Sequence, residues 1–145
     1  TLSYGRWDSH GQNFALVRDH GAKLDQCLSA LIDDLYIRGM LDDVTVIAWG
    51  EFGRTPVSQG ANGRDHSRRG FSLWLAGGGV KSGYAHGKTD DFGYNIVEDP
   101  VDFLDLHATM LHLLGMDHQK LTYRFQGRDF RLTDVAGEVI QAVLA

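Results

Sequence analysis

Between Phe14 and Arg38 apolar residues recur at helical spacing, and this repeat constrains the fold more than any other feature of the chain. Leu24, Leu28, Leu31, Ile32 and Leu35 share one face, Asp25, Asp33, Asp34 and Arg38 take the others, and Gly39 follows as a stop. Gly21 weakens only the first turns. The period predicts a long amphipathic helix whose stripe faces a core.

A second period interrupts it. Val44-Thr-Val-Ile-Ala-Trp49 is short, β-branched and apolar on both faces, as a strand inside a helix-covered sheet should be. A loop rich in Gly, Arg, Asn and Ser runs from Gly50 to Gly70. Phe71 to Ala76 reads as another strand, closed by Gly77, Gly78 and Gly79, and Tyr84 to Thr89 as a short edge segment. Asp99-Pro100 predicts a second helix, with Asp99 as N-cap, Pro100 at its first position and Asp102 near the positive end of its dipole. Phe103, Leu106, Met110, Leu111 and Leu114 form its stripe, and Gly115 ends it. A polar stretch with Arg124, Arg128 and Arg131 leads to a short terminal helix, Val139 to Leu144. Helix, buried strand, loop, strand, helix predicts an α/β layer fold with chemistry in loops at the carboxyl ends of strands.

At 145 residues the chain has the size of one domain and can bury a real core. Its net charge of −5 argues against a general nucleic-acid binder, which needs surplus Lys and Arg to displace counterions from phosphates. The single cysteine, Cys27, rules out an internal disulfide and a Cys-based zinc cluster, and its place in the helical run predicts a core position. No apolar run approaches the roughly 20 residues that span a bilayer, and the opening residues carry neither a signal peptide nor an initiator Met. The expectation is a segment from inside a larger protein.

Three polar clusters fall where the loops should be. They are Trp7-Asp8-Ser9-His10-Gly11-Gln12-Asn13, Gly50-Glu51-Phe52-Gly53-Arg54-Thr55-Pro56 and Gly63-Arg64-Asp65-His66-Ser67. Imidazoles and carboxylates in this number suit zinc, manganese or iron better than magnesium. Each cluster also has a plain structural reading. Asp8 could cap a helix beside a surface histidine. Glu51, set after a buried strand, would need a partner, and a salt bridge to Arg54 or Arg64 competes with a metal. His66 could be a turn histidine bonded to backbone. The convergence of all three clusters favours a metal site.

The same strings resemble a family. Gly63-Arg-Asp-His-Ser-Arg-Arg-Gly-Phe-Ser-Leu-Trp-Leu-Ala-Gly-Gly-Gly79 is similar to the late histidine motif of the alkaline phosphatase and sulfatase superfamily. Val46-Ile-Ala-Trp-Gly-Glu-Phe-Gly53 resembles its strand followed by Asp-His-Gly, and Asp105-Leu-His-Ala-Thr-Met-Leu-His-Leu-Leu-Gly115 its late helix. Trp-Asp-Ser-His-Gly, Gly-Glu-Phe-Gly-Arg-Thr-Pro and Gly-Arg-Asp-His together are closer still to a bacterial sulfatase-like subgroup of unknown function that is usually exported. The likeness covers nearly the whole chain in motif order.

The resemblance implies the carboxyl-terminal, metal-binding portion of an alkaline phosphatase-like domain, a single unit over residues 1–145 with a layered sheet and flanking helices. It implies a divalent metal, zinc first, with manganese or calcium as alternatives. Asp8, His10 and His66 match the ligands of one metal, and Glu51 takes the place of an Asp on a second. Phe52 stands where many members have a ligating histidine, and a phenyl ring cannot ligate. Asp65 and His107 are candidates to support the ligands from behind, and Arg54 and Arg64 to neutralise an anionic ester. The superfamily's nucleophile strand has no counterpart here; Thr55 and Ser67 are the loop hydroxyls that could stand in. The implied activity is metal-dependent hydrolysis of phosphate or sulfate esters, with a non-catalytic, metal-stabilised binding module as the alternative. The implied partners are a small anionic ester or a sulfated or phosphorylated glycan, and the remainder of the parent domain. The implied location of the parent is periplasmic or extracellular. His20, His86 and His118 read as surface residues.

Overall fold

The computed structural model describes residues 1–145 and contains two helices and eight short strands. Helix α1 runs from Asn13 to Ile37 and helix α2 from Phe103 to Leu113. The strands are β1 (Thr45–Ala48), β2 (Gly53–Arg54), β3 (His66–Ser67), β4 (Trp74–Gly77), β5 (Lys88–Thr89), β6 (Ile96–Glu98), β7 (Thr122–Phe125) and β8 (Arg128–Arg131).

They do not build the layered sheet expected from the sequence. β1 pairs with β4, β2 with β3, β5 with β6 and β7 with β8, giving four separate two-stranded antiparallel sheets. The physical reason lies between β1 and β4. Parallel neighbours require a crossover, usually a helix. The intervening segment folds instead as the β2–β3 ribbon, and the chain returns antiparallel, with Thr45 opposite Gly77 and Ala48 opposite Trp74. An apolar run reports that both faces are apolar; it does not report the direction of its neighbour. The expected α/β layer architecture is therefore replaced by a mixed arrangement of helices and small ribbons.

Burial is sparse. The apolar side of the core consists of Leu35 from α1 with Leu106, Ala108 and Leu111 from α2. The accessible surface is 10615 Å², against about 7,400 Å² for a compact monomer of this mass. Much of the α1 stripe is consequently uncovered: Leu24, Leu28 and Ile32 are half-buried and Leu31 is exposed. Phe103 and Leu114, expected in the α2 stripe, are exposed as well, as are Trp49 and Trp74. Cys27 is exposed, which corrects its expected place in the core.

Helix α2 begins later than Asp99-Pro100 suggests. Asp102 is its N-cap, accepting from the Leu104 N–H at 2.9 Å, while the Asp105 carboxylate accepts from the Asp102 N–H at 3.0 Å. This reciprocal box satisfies two otherwise orphaned donors, and Asp99 lies outside the helix with φ 42°. The tail is tied to the same helix. Glu138 N–H donates to Asp105 Oδ1 at 2.8 Å and Ile140 N–H to Thr109 Oγ1 at 2.9 Å. The expected terminal helix shrinks to one 3-10 turn, Gln141–Val143.

The polar stretch with Arg124, Arg128 and Arg131 is the β7–β8 hairpin. Its two-residue turn is Gln126-Gly127, with φ 49° and 81°. Both values are positive, as the primed turns that match strand twist require. His118, expected on the surface, is buried beside the wholly buried Thr133, with Nδ1 2.9 Å from Thr133 Oγ1.

Candidate metal centre

The amino end of α1 begins with a residue that offers no side-chain cap. Gln12 occupies that position at φ 52° and makes no capping hydrogen bond. Loop carbonyls serve instead: Gln12 N–H donates to Ala61 O at 2.9 Å and Asn13 N–H to Asn62 O at 3.1 Å. Arg64 N–H donates back to Ser9 O at 2.9 Å, so the Asp8–Asn13 segment and the 61–64 loop are laced together. Gly63 sits at this crossing. A Cβ there would overlap the His10 carbonyl, so any larger residue would force the two segments apart. The helix-cap reading of Asp8 is excluded, because Asp8 lies four residues before the cap.

The second segment joins through the β2–β3 ribbon. Arg54 stands opposite His66 in its register, and Thr55 N–H donates to Asp65 O at 2.8 Å. Three loops distant in sequence thus meet at one place.

There His10 Nε2 lies 3.0 Å and His66 Nε2 2.8 Å from the same oxygen, Asp8 Oδ1. The ligating atoms of Asp8, His10 and His66 all fall within 4.8 Å of one another, and the group could hold a metal ion. The other face of His10 is fixed, with Nδ1 2.8 Å from Asp65 Oδ1. A carboxylate behind an imidazole sets the tautomer that leaves Nε2 for a metal. The His66 ring lies against Phe52, centroids 4.2 Å apart. Phe52 therefore packs against His66 and donates nothing to the group.

Arg54 completes the cluster. Its Nη1 donates to Asp8 Oδ1 at 2.9 Å. Hydrogen bonds from His66 and then Arg54 hold the Asp8 carboxyl down at about 2, against an opposing desolvation, with attraction to the His10 and His66 imidazoles adding less. Asp8 is thus a carboxylate at any physiological pH. All three members of the group are about half exposed, so a small molecule can reach them.

The remaining candidates make no hydrogen bond or ion pair with the side chains of Asp8, His10 or His66. Glu51 is exposed and pairs with neither Arg54 nor Arg64. The desolvation cost that suggested a partner for it does not arise. Arg64 donates to the neighbouring Gly63 carbonyl at 2.9 Å and lies over the Phe14 ring. His107 is exposed on α2 and makes no hydrogen bond to Asp8 or Asp65. Thr55 Oγ1 is bound to Val57 O and to the Asp65 N–H, and Ser67 Oγ accepts from Arg69 N–H at 3.4 Å. Both hydroxyls therefore serve the loops. Sequence reasoning missed the shelf formed by Phe52, and no periodicity could have signalled it.

Residues 1–144 match the family model described as "Protein of unknown function (DUF1501)". The chain belongs to that family. No curated protein and no solved structure matches it.

Proposed function

We propose that this chain is the metal-binding portion of a metal-dependent hydrolase domain acting on phosphate or sulfate esters. The observation that carries the reading is the convergence of His10 Nε2 and His66 Nε2 on Asp8 Oδ1. Two imidazole nitrogens and one carboxylate oxygen, with a second carboxylate fixing one ring, match the donor set of catalytic zinc sites that keep a position open. Manganese or calcium are the alternatives.

Asp8, His10 and His66 would hold the cation. When bound, it would supply Lewis acidity toward an ester oxygen and activate water near neutral pH. The chain's own residues supply the rest. Asp65 keeps the His10 proton on Nδ1. Phe52 keeps the His66 ring from turning. Arg54, once Asp8 is engaged elsewhere, offers a guanidinium to the non-bridging oxygens of the ester, where charge builds during the reaction. The motif order shared with the alkaline phosphatase and sulfatase superfamily supports the same chemistry. The exposed apolar residues of α1, Phe14, Val17, Leu31, Tyr36 and Ile37, together with Trp74 of β4, support a place within a larger domain, whose remainder would cover them.

The test is metal content of purified protein beside Asp8→Ala, His10→Ala and His66→Ala. One equivalent of zinc or manganese is expected in the parent and near none in each variant; full occupancy without His66 removes the site. A second reading, a metal-stabilised module that binds without turnover, is favoured by the structural engagement of Thr55 and Ser67. Metal bound stoichiometrically with no hydrolysis of aryl phosphates or aryl sulfates by the parent-length protein would select it.

A further inference from the structure

A cleft of about 380 Å³ opens directly beside the triad. Two residues belong to both places. Phe52, packed against His66, and Arg54, bonded to Asp8, each line the cleft. Its lining also includes Arg69, Phe71, Tyr94 and Asn95. Twelve residues line it, two of them arginines and none acidic. Arg54 is already paired with Asp8, so Arg69 is the unpaired cation of this lining, and a concavity that presents one favours anions.

Arg69 is held in place by design of its neighbours. Its Nη1 donates to Asn95 Oδ1 at 2.6 Å and its guanidinium lies over the Tyr94 ring at 5.2 Å. Asn95 is itself fixed, its Nδ2 donating to Asp90 Oδ2 at 2.9 Å, while the Tyr94 N–H donates to Asp90 Oδ1 at 2.8 Å. The guanidinium makes no ion pair with any carboxylate, unlike that of Arg54. Arg69 is exposed, and an arginine restrained by an amide and a ring, and left without a counter-charge, loses less rotamer freedom when a ligand arrives.

We propose that this cleft is the seat for the organic part of the ester, and that Arg69 takes a second anionic group carried on that part, remote from the ester bond. The ligand class is a ring-bearing ester with two anionic groups. The reacting one lies toward Asp8, His10 and His66, the other lies on Arg69, and the ring rests on the aromatic walls. The assignment of which end faces the triad rests on the metal-centre reading above; the anion site on Arg69 does not.

The experiment is calorimetric binding of phenyl phosphate and 4-carboxyphenyl phosphate to the whole chain, with and without zinc. The compound with the added carboxylate should bind roughly tenfold more tightly, the scale of one charge-assisted hydrogen-bonded pair. Arg69→Met should erase that preference with an unchanged thermal unfolding midpoint, which shows that the fold survives, and Arg69→Lys should restore part of it. Equal affinity for the two compounds, or a preference that persists in Arg69→Met, overturns the proposal. His66→Ala separates the two readings. If the unsubstituted chain binds no zinc, or His66→Ala binds it equally well, while the preference depends on Arg69, the cleft stands and the metal centre falls; if zinc binding is lost in His66→Ala and no preference exists, the reverse holds.

Discussion

Arg54 donates to Asp8 Oδ1 at 2.9 Å, on the same oxygen that both imidazole nitrogens approach. A guanidinium thus competes for the carboxylate that a metal ion would use. Removing it should favour the metal. Arg54→Met is expected to tighten zinc binding by up to about fivefold, the range of an exposed ion pair. Competition against a chromophoric chelator measures it. Weaker binding would mean that Arg54 holds Asp8 in place and does not compete with the cation.

Asp65 acts on the opposite side of His10, at 2.8 Å from Nδ1. Asp65→Ala leaves all three ligand side chains intact and removes only the group behind one ring. Loss of such a partner is expected to weaken metal affinity by about 10- to 100-fold. The same titration reads it, and an unchanged affinity would show that packing alone orients His10.

Thr133 and His118 form a buried pair far from these loops in sequence, joined at 2.9 Å. Thr133→Val keeps the shape and removes the hydroxyl, leaving a ring nitrogen without its partner. Unfolding free energy in urea should fall by about 1–3 kcal/mol, and Thr133→Ser should recover most of it. No change would place the ring nitrogen on water.

Asp90 organises the loop that carries Tyr94 and Asn95. The Tyr94 backbone N–H, then the Asn95 amide and backbone, hold its carboxyl below the ordinary value of 3.8, against an opposing desolvation. The folded value is lower than the unfolded one, so the loop's stabilisation is complete above pH 3.8 and is lost as pH falls through the depressed value. Slow amide exchange at Tyr94 and Asn95 is expected to persist at pH 4 and to disappear in stronger acid. Asp90→Asn should flatten that dependence.

The helices were legible because each is a local repeat. Leu24 to Leu35 and Phe103 to Leu114 announce a 3.6-residue period, and α1 and α2 follow it to within a few residues. Their caps were less so. Asp99-Pro100 is a good local start, but Asp102 wins because Asp105 closes the box with it. The β7–β8 hairpin hid behind a Gln-Gly turn, a weaker signal than Asn-Gly.

The donor chemistry of Asp8, His10 and His66, one carboxylate and two imidazoles, was readable from residue type; that the three meet at one place was not. Glu51 shows the limit of the same reasoning: its carboxylate looked costly after an apolar strand, yet the chain leaves it in solvent.

Local sequence determined which segments coil, which extend, and which loops carry nitrogen and oxygen donors, because those properties depend on neighbours a few residues apart. Strand direction, the meeting of three loops over more than 50 residues, the support of His10 by Asp65 and of His66 by Phe52, and the sign of the cleft were decided only in three dimensions. Each depends on backbone hydrogen bonds between distant segments, such as Arg64 to Ser9 and Thr55 to Asp65, and no linear period records such pairings.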